Sequence, residues 1–319
     1  MDIIYFLFRQ TLLFSIPLLV VAVGGMFSER SGVVNIALEG IMIFGAFTSI
    51  FFINIMQQNG VLSGQSLLII ALIIAALSGG LFSLLHAFAS INMKADQTIS
   101  GTALNLFAPA LGIFIAKMVQ TTQNIRFENQ FRITEVPILS KIPVIGDLLF
   151  KQAYITTYLG IGILFLASFI LYKTRFGLRL RASGENPQAV DAAGINVYKI
   201  RYAGVFISGL LAGLGGLIYI IPISTEYASN VSGYGFLALA VLIFGQWTPW
   251  KIGVAAFFFG FTKTIANAYS GIPFLLSLGV PNIVFKLLPY VATLLLLTFT
   301  SKNSTGPRAA GEPYYKAKR

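Results

Sequence analysis

The residues that most enzymes use for catalysis are scarce in this chain. Cysteine is absent, and the single histidine, His86, lies inside an apolar run. Thiol redox chemistry, zinc binding and histidine-based acid–base catalysis therefore lack the side chains they require, and we expect His86 to be a packed residue. The Gly-Lys dipeptide of a P-loop and the Gly-x-Ser-x-Gly elbow of a hydrolase are also absent. We predict no catalytic residue, no metal site and no bound cofactor; if ATP drives this protein, another chain hydrolyses it.

The stretch SERSGVVNIALEG carries polar side chains between two apolar runs. On a helix, Ser31, Asn35 and Glu39 recur at four-residue intervals and form one polar stripe. A carboxylate at mid-bilayer costs about 2.5–3.5 kcal/mol, so Glu39 should face a bundle interior or a wet cavity. Two interpretations stay open: the stripe joins helices by hydrogen bonds, or it lines the path of a solute. Glu29 and Arg30 lie at the end of a run and are expected to anchor a turn.

Two amides in other apolar runs, Asn105 and Asn267, offer donors and acceptors suited to a polar, uncharged solute. Hydrogen bonding between helices is the alternative for both. The candidate substrate pathway therefore consists of Asn35, Glu39, Asn105 and Asn267.

The elements that must position these residues are membrane helices. The 319 residues are 56% hydrophobic and 10% charged, with a mean hydropathy of +0.80. Apolar runs of about 20 residues recur throughout, and they lack the ten-residue alternation of barrel strands. We predict an all-α, polytopic membrane protein. The runs lie near residues 10–27, 34–56, 67–90, 98–118, 153–172, 202–222, 229–246, 252–270 and 280–299.

A re-entrant or broken helix would change this count of nine to eight or ten transmembrane helices. The candidates for such a break are residues 28–40 and the segment SGIPFLLSLGVPN. The side of the membrane that holds residue 1 stays open for the same reason.

Half of the 22 basic residues fall in two polar segments, which argues for membrane topology rather than for nucleic-acid binding. The positive-inside rule places both segments in the cytoplasm. They are the loop 173–201 and the tail 301–319, which follows a transmembrane domain over residues 1–300. Residues 119–151 then lie outside and form an amphipathic cap. The small, polar composition of the tail is typical of a poorly ordered terminus.

Three further patterns concern packing and partners. Gly209 with Gly213, and Ala212 with Gly216, have the four-residue spacing that lets membrane helices approach closely. SGVVNIALEGIMIFGAF and SGYGFLALAVLIFGQW share Ser-Gly, Ala-Leu and Ile-Phe-Gly in spans of opposite direction, as in an inverted repeat. In the basic loop, a turn over 184–187 and a short helix over 188–193 are predicted to end at Gly194. That helix is either a lever for a partner protein or part of a solvated loop.

The stretches SERSGVVNIALEGIMIFGAF, GLRLRASGENPQAVDAAGINV and GYGFLALAVLIFGQWTPWKIGVAAFFFG together resemble ATP-binding cassette (ABC) importer permeases. The resemblance is to the simple-sugar and nucleoside branch of the branched-chain-type permease superfamily and covers roughly residues 10–300. The full SERSG-to-LEG block, the segment VPILSKIPVIGDLLFKQ and the tail GPRAAGEPYYKAKR are most similar to nucleoside-uptake permeases.

This resemblance implies a type II importer-like fold of ten spans and a permease that carries nucleosides across the bacterial inner (cytoplasmic) membrane. It also implies three protein partners: a second, longer homologous permease, a cytoplasmic ATPase with two nucleotide-binding halves that uses ATP and Mg²⁺, and an external substrate-binding lipoprotein. A simple-sugar permease of the ribose or galactose type is the alternative. A stand-alone secondary transporter or channel is a second alternative.

On this resemblance, the short cytoplasmic helix corresponds to the coupling helix by which such permeases seat in their ATPase. The implied coupling residues are Glu185, Asn186, Ala189, Asp191, Ala192, Ala193 and Gly194. The sequence departs from the family's Glu-Ala-Ala loop because Asp191 holds the acidic place, which leaves the docking residues open.

Overall fold

The computed structural model describes residues 2–137, 139–272, 280–300 and 306–316. Eleven helices occur in these residues: α1 Asp2–Ser31, α2 Leu38–Gln58, α3 Gly64–Ala87, α4 Gln97–Gln120, α5 Ile155–Lys173, α6 Arg175–Glu185, α7 Pro187–Ala192, α8 Val197–Ile220, α9 Tyr234–Phe244, α10 Pro249–Ala268 and α11 Asn282–Thr300. Four short strands are β1 Ile125–Arg126, β2 Ile133–Glu135, β3 Lys151–Ala153 and β4 Glu226–Tyr227. The all-α prediction is confirmed. Helices dominate because a chain in lipid must satisfy its backbone hydrogen-bonding groups within each segment.

Each of the nine predicted spans overlaps a helix. Among the described residues, six helices are long and apolar enough to cross a membrane: α1, α2, α3 with its continuation to Asn92, α4, α5 and α8. Helices α1 and α8 form the centre of the bundle and pack against each other. Helices α4 and α5 lie at the periphery and leave most of their surfaces exposed.

The prediction of one continuous span over 229–246 was wrong. Helix α9 has 11 residues, about 16 Å at 1.5 Å per residue, which is too short for a hydrocarbon core of about 30 Å. Ser229, Ser232 and Gly233 have positive φ angles of 51°, 54° and 77°. Because an α-helix requires negative φ, the chain enters the bundle as an extended segment and becomes helical only at Tyr234.

The other predicted break is present between α1 and α2. Gly32 has a φ of 100°, and residues 32–37 are not helical. The second candidate, SGIPFLLSLGVPN, falls largely on residues 273–279 and lies outside the described residues.

The outer cap consists of two antiparallel strand pairs. In one, Ile125 pairs with Tyr227; in the other, Ile133 pairs with Ala153. The first turns of α1 lie beside the turn Gly146–Phe150 of this cap. The start of α1 therefore lies at the same end of the bundle as this cap, which the sequence predicts to face outward.

Two expectations about the cytoplasmic side differ from the structure. Residues 175–185 form helix α6, which the sequence interpretation treated as part of a loop. Residues 306–316 of the tail are packed against α6, α7 and α8 rather than poorly ordered. The composition of a segment describes its solubility, but it does not reveal that another surface of the chain offers it partners.

Candidate functional site

The break between α1 and α2, here called the α1–α2 junction (residues 28–40), holds its conformation through side-chain to backbone hydrogen bonds. Ser28 Oγ donates to the carbonyl oxygen of Val33 at 2.7 Å, and Ser31 Oγ donates to that of Ser28 at 2.6 Å. Asn35 Oδ1 accepts from the amide of Ala37 at 3.1 Å. These bonds satisfy polar groups that a broken helix would otherwise leave unpaired in an apolar interior.

Side chains of α3 and α4 satisfy the rest of the junction. His86 Nε2 lies 2.9 Å from the carbonyl oxygen of Val34, and the amide of Val34 donates to Gln97 Oε1 at 2.7 Å. Asn105 spans the break: its Nδ2 donates to the carbonyl oxygen of Ile36 at 2.9 Å, and its Oδ1 accepts from the backbone amide of residue 40 at 2.7 Å. His86 is fully buried, in agreement with its prediction as a packed residue.

The carboxylate of Glu39 caps the N-terminus of α9. Its two carboxylate oxygens accept from the backbone amides of Gly233 at 2.8 Å and Gly235 at 2.6 Å. The N-terminus of a helix carries unpaired N–H groups and a partial positive charge, so it stabilises a carboxylate without a basic side chain. Helices α2 and α9 thus begin side by side.

Glu29 and Arg30 hold the turn between α9 and α10. Glu29 Oε2 accepts from Trp247 Nε1 at 2.6 Å, and Arg30 Nη2 donates to the carbonyl oxygen of Trp247 at 3.1 Å. Gln246 and Trp247 have positive φ angles of 48° and 52°. Both ends of α9 are therefore bonded to the α1–α2 junction, the first through Glu39 and the second through Glu29 and Arg30.

Three of the four predicted pathway residues are brought together. Asn35 and Glu39 belong to the α1–α2 junction and Asn105 bonds to its backbone, while Asn35 Nδ2 also donates to Ser208 Oγ of α8 at 2.9 Å. Asn105 is half-buried on the open side of α4. Asn267 is exposed near the end of α10 and does not join this group. A role of these residues toward a solute stays a prediction.

The predicted coupling residues lie on one surface formed by α6 and α7. Asn186 Oδ1 accepts from the amide of Ala189 at 3.0 Å and caps α7, Pro187 occupies the first turn, and Gly194 has a φ of 77°. The predicted short helix and its glycine stop therefore agree with the structure, whereas the turn predicted over 184–187 is reduced to Asn186, because α6 continues to Glu185. Asp191 is half-buried, and the remaining coupling residues are exposed: Glu185, Asn186, Ala189, Ala192, Ala193 and Gly194.

This coupling surface is bonded to the α1–α2 junction. Ser183 Oγ of α6 donates to the carbonyl oxygen of Ser31 at 3.0 Å. Arg30 and Glu185 form an ion pair at 3.9 Å. A displacement of α6 and α7 would therefore reach both ends of α9 through contacts of the junction.

The small residues of α8 lie against α2 and α3. A Cβ placed on Gly213 would lie 2.8 Å from the Cα of Gly79, and one placed on Gly209 would lie 2.7 Å from the carbonyl oxygen of Gly79. A Cβ on Gly216 would collide with the backbone of Met42. Ala212 is fully buried in the same interior.

An open pocket of about 850 Å³, at the end of the bundle that the sequence predicts to face outward, was not predicted. Its lining is rich in amides and includes two basic residues: Asn54, Gln58, Gln120, Asn124, Lys117 and Arg126. Asn54 connects its walls, because Nδ2 donates to the carbonyl oxygen of Arg126 at 2.7 Å. The available signal was Asn54 itself, a polar residue near the end of the second apolar run. No group of three or more metal-binding side chains occurs in the described part of the chain.

Comparisons with known proteins identify the family. Residues 7–297 match the family described as branched-chain amino acid transport system / permease component. The guanosine ABC transporter permease protein NupQ of Bacillus subtilis is 45% identical over 97% of this chain and 96% of its own. The nucleoside ABC transporter permease protein NupC of Lactococcus lactis is 42% identical over 96% of each chain.

A second B. subtilis permease is a more distant relative. The guanosine ABC transporter permease protein NupP is 28% identical over 74% of this chain and 67% of its own. No solved structure matches the sequence. This chain belongs to the family of branched-chain amino acid transport system permease components.

Proposed function

We propose that this chain is the membrane-spanning permease subunit of an ABC importer that carries nucleosides across the cytoplasmic membrane of a bacterium. The observation that carries the proposal is the identity of 45% and 42% with a guanosine and a nucleoside permease over nearly the whole chain. The exposed coupling surface supports it, because a self-contained transporter has no use for a docking helix.

The proposed complex contains four kinds of subunit. A second permease is supported by NupP, since two different permeases of one organism carry the name of guanosine transport. A cytoplasmic ATPase with two nucleotide-binding halves would bind ATP and Mg²⁺ and supply the energy. An external lipoprotein would capture the nucleoside and deliver it to the outer side of the permease pair.

The mechanism that fits this geometry is alternating access. Closure of the ATPase halves would move α6 and α7, and the bonds of Ser183 and Arg30 would carry that movement to the α1–α2 junction. Helix α9 would then shift, since Glu39 holds its start and Arg30 holds the turn at its end. Discrete repacking of short elements against a fixed bundle is a common way to open and close a path.

Asn35, Glu39, Asn105 and Asn267 remain the proposed pathway residues. Of these four residues, Asn105 has the most favourable position for contact with a solute, because it is half-buried beside exposed residues of α4. The solute should be held by a few weak polar contacts, since a site that bound it equally tightly in every state would shift no equilibrium and would retain its cargo. Undiminished uptake after alanine substitution of these residues would refute the pathway.

Reconstitution tests the function. The purified chain alone in liposomes should not take up labelled guanosine, and addition of the second permease, the ATPase and the binding lipoprotein should give ATP-dependent uptake. Uptake by the chain alone would support a secondary transporter or channel instead. Unlabelled ribose is the discriminating competitor: it should leave guanosine uptake unchanged, and inhibition by ribose would favour a simple-sugar permease.

A further inference from the structure

The C-terminal segment 306–316 crosses the coupling surface and bonds to three separate parts of the chain. The amide of Ala309 donates to the carbonyl oxygen of Gly184 at 2.8 Å, and that of Gly311 donates to the carbonyl oxygen of Gly32 at 3.3 Å. The carbonyl oxygen of Glu312 accepts from Arg201 Nη1 at 2.9 Å. One short segment therefore connects the end of α6, the α1–α2 junction and the start of α8.

Segment 306–316 supplies a hydrogen-bond acceptor to the buried side chain of Arg201. That side chain is 1% exposed, directly beneath Gly32. Within the described residues, Nε and Nη2 have no hydrogen-bond acceptor, so the carbonyl oxygen of Glu312 is an important partner of a buried cation. Buried charges are costly unless they are paired, and release of the segment would remove that partner.

Tyr314 packs against the coupling helix itself. It is 5% exposed and shares an apolar cluster with Val190 of α7 and Val197 of α8, and its ring meets that of Tyr198 edge-on at 5.4 Å. Burial and a hydrogen bond to the carboxylate of Asp191 raise the pKa of Tyr314 to about 12. The phenol is therefore a neutral donor at physiological pH.

Helix α7 needs such support. It has six residues, and helices this short are not stable alone, so packing must fix its orientation. Its inward side chain, Val190, is buried against Tyr314 and Val197. The next residue of the segment, Tyr315, lies under Lys94 Nζ at 4.0 Å and ties the segment to the turn before α4.

A cavity of about 620 Å³ opens between α7 and the end of the segment. Its lining combines residues in and beside α7 with residues of the tail: Asn186, Gln188, Ala189, Asp191, Tyr314 and Lys316. One rim of this cavity is thus the predicted docking helix, and the opposite rim comes from residues more than a hundred positions later in the sequence.

We propose that residues 306–316 are a strap that orients α7, and that Tyr314 and Lys316 form the second wall of the socket that receives the ATPase subunit. The inference rests on the proposed function. The ATPase is the occupant because the cavity is continuous with the exposed surface of α7 and faces the same side. Tyr314 is a positioning residue: it acts on the ATPase through α7 and Asp191.

The absence of native cysteine makes a labelling experiment direct. Single variants Ala192→Cys on α7 and Lys316→Cys on the strap would be treated with a maleimide polyethylene glycol in the detergent-solubilised permease pair, with and without the ATPase. Gln58→Cys on the outer side is the control. We expect the ATPase to abolish labelling at positions 192 and 316 and to leave position 58 unchanged.

The outcomes separate the two proposals. Protection of position 192 without protection of position 316 would overturn the strap as part of the socket and leave the proposed function standing. Protection of neither would contradict the ATPase partner itself.

Function of the strap is tested in the complete importer in proteoliposomes. Tyr314→Ala should reduce uptake per ATP hydrolysed while permease and ATPase still co-purify, whereas Tyr314→Phe, which retains the ring, should lose less. Tyr5→Ala, the same change on the outer side, should have no effect. Normal coupling in Tyr314→Ala, or equal loss in Tyr5→Ala, would contradict the positioning role.

Discussion

The α1–α2 junction and the outer pocket are both rich in polar side chains, but they use them differently. At the junction, Asn35 is fully buried, Glu39 is 7% exposed, and both bond to backbone groups of the breaks around them. In the outer pocket, Gln58 and Asn124 face an open volume of about 850 Å³. Polar residues of this apolar chain thus stabilise irregular backbone at the junction, and we propose that those of the open pocket contact a solute.

The sharpest test of this difference is Glu39→Ala. It removes the acceptor of two backbone amides at the start of α9, and hydrogen bonds to a charged group contribute roughly 1.5–3 kcal/mol each. We expect a loss of about 3 kcal/mol or more in unfolding free energy and loss of transport. Thermal unfolding in detergent and uptake in proteoliposomes measure the two effects. Glu39→Gln, which retains one acceptor oxygen, should be less damaging; equal stability of wild type and Glu39→Ala would contradict the role at the junction.

Overpacking of α8 should have the next largest effect. Gly213→Val places side-chain atoms where the backbone of Gly79 already lies, and overpacking of a filled interior typically costs about 1–3 kcal/mol. The melting temperature and the yield of folded protein should both fall. Gly162→Ala in α5, where an added Cβ meets nothing within 4 Å, is the matched control. A tolerated valine at 213 would show that α3 and α8 can separate.

Trp247→Phe isolates one bond of the junction. Phenylalanine keeps a smaller aromatic ring at this position but lacks the indole N–H, so Glu29 loses its donor at 2.6 Å, and an unsatisfied buried acceptor costs about 1–3 kcal/mol. Thermal stability should fall by an amount in this range. Trp250→Phe, at an exposed tryptophan of the following helix, should leave it unchanged, and an equal fall in both variants would contradict the assignment.

The outer pocket should respond in the opposite way. Gln58→Ala removes an exposed amide from its rim, and surface substitutions usually change stability by less than about 0.5 kcal/mol. The melting temperature should therefore stay constant, while the apparent KM for nucleoside uptake by the complete importer should rise. An unchanged KM would show that the solute does not contact this rim, and a marked loss of stability would remove the contrast with the junction.

Sequence patterns located helices better than they located breaks. Every predicted span overlaps a helix, because apolar runs of sufficient length leave the backbone no other partner in lipid. The shortening of α9 was missed, since nothing in Ser229 or Ser232 as residue types requires a positive φ. Gly32, by contrast, is a glycine at the position of the break, and residues 28–40 were a candidate for it.

In the candidate site, too, local features were predicted and contacts between distant residues were not. The initial proline and the glycine stop of α7 are local features and were predicted at Pro187 and Gly194. The polar stripe was predicted to contain Asn35 and Glu39, but not to hold α9. The strap was missed because its contacts with Gly184, Gly32 and Arg201 are made across distant parts of the chain.

The sequence by itself determined the membrane class, the approximate positions of the apolar helices and the short helix α7. These properties depend on hydrophobicity, charge and local backbone preferences, which adjacent residues define. Only the tertiary structure decided what each buried polar group bonds to, because those bonds join residues as far apart as Arg30 and Trp247, 217 positions along the chain. Burial forces such groups to find partners, but which partner each one finds depends on how the helices pack.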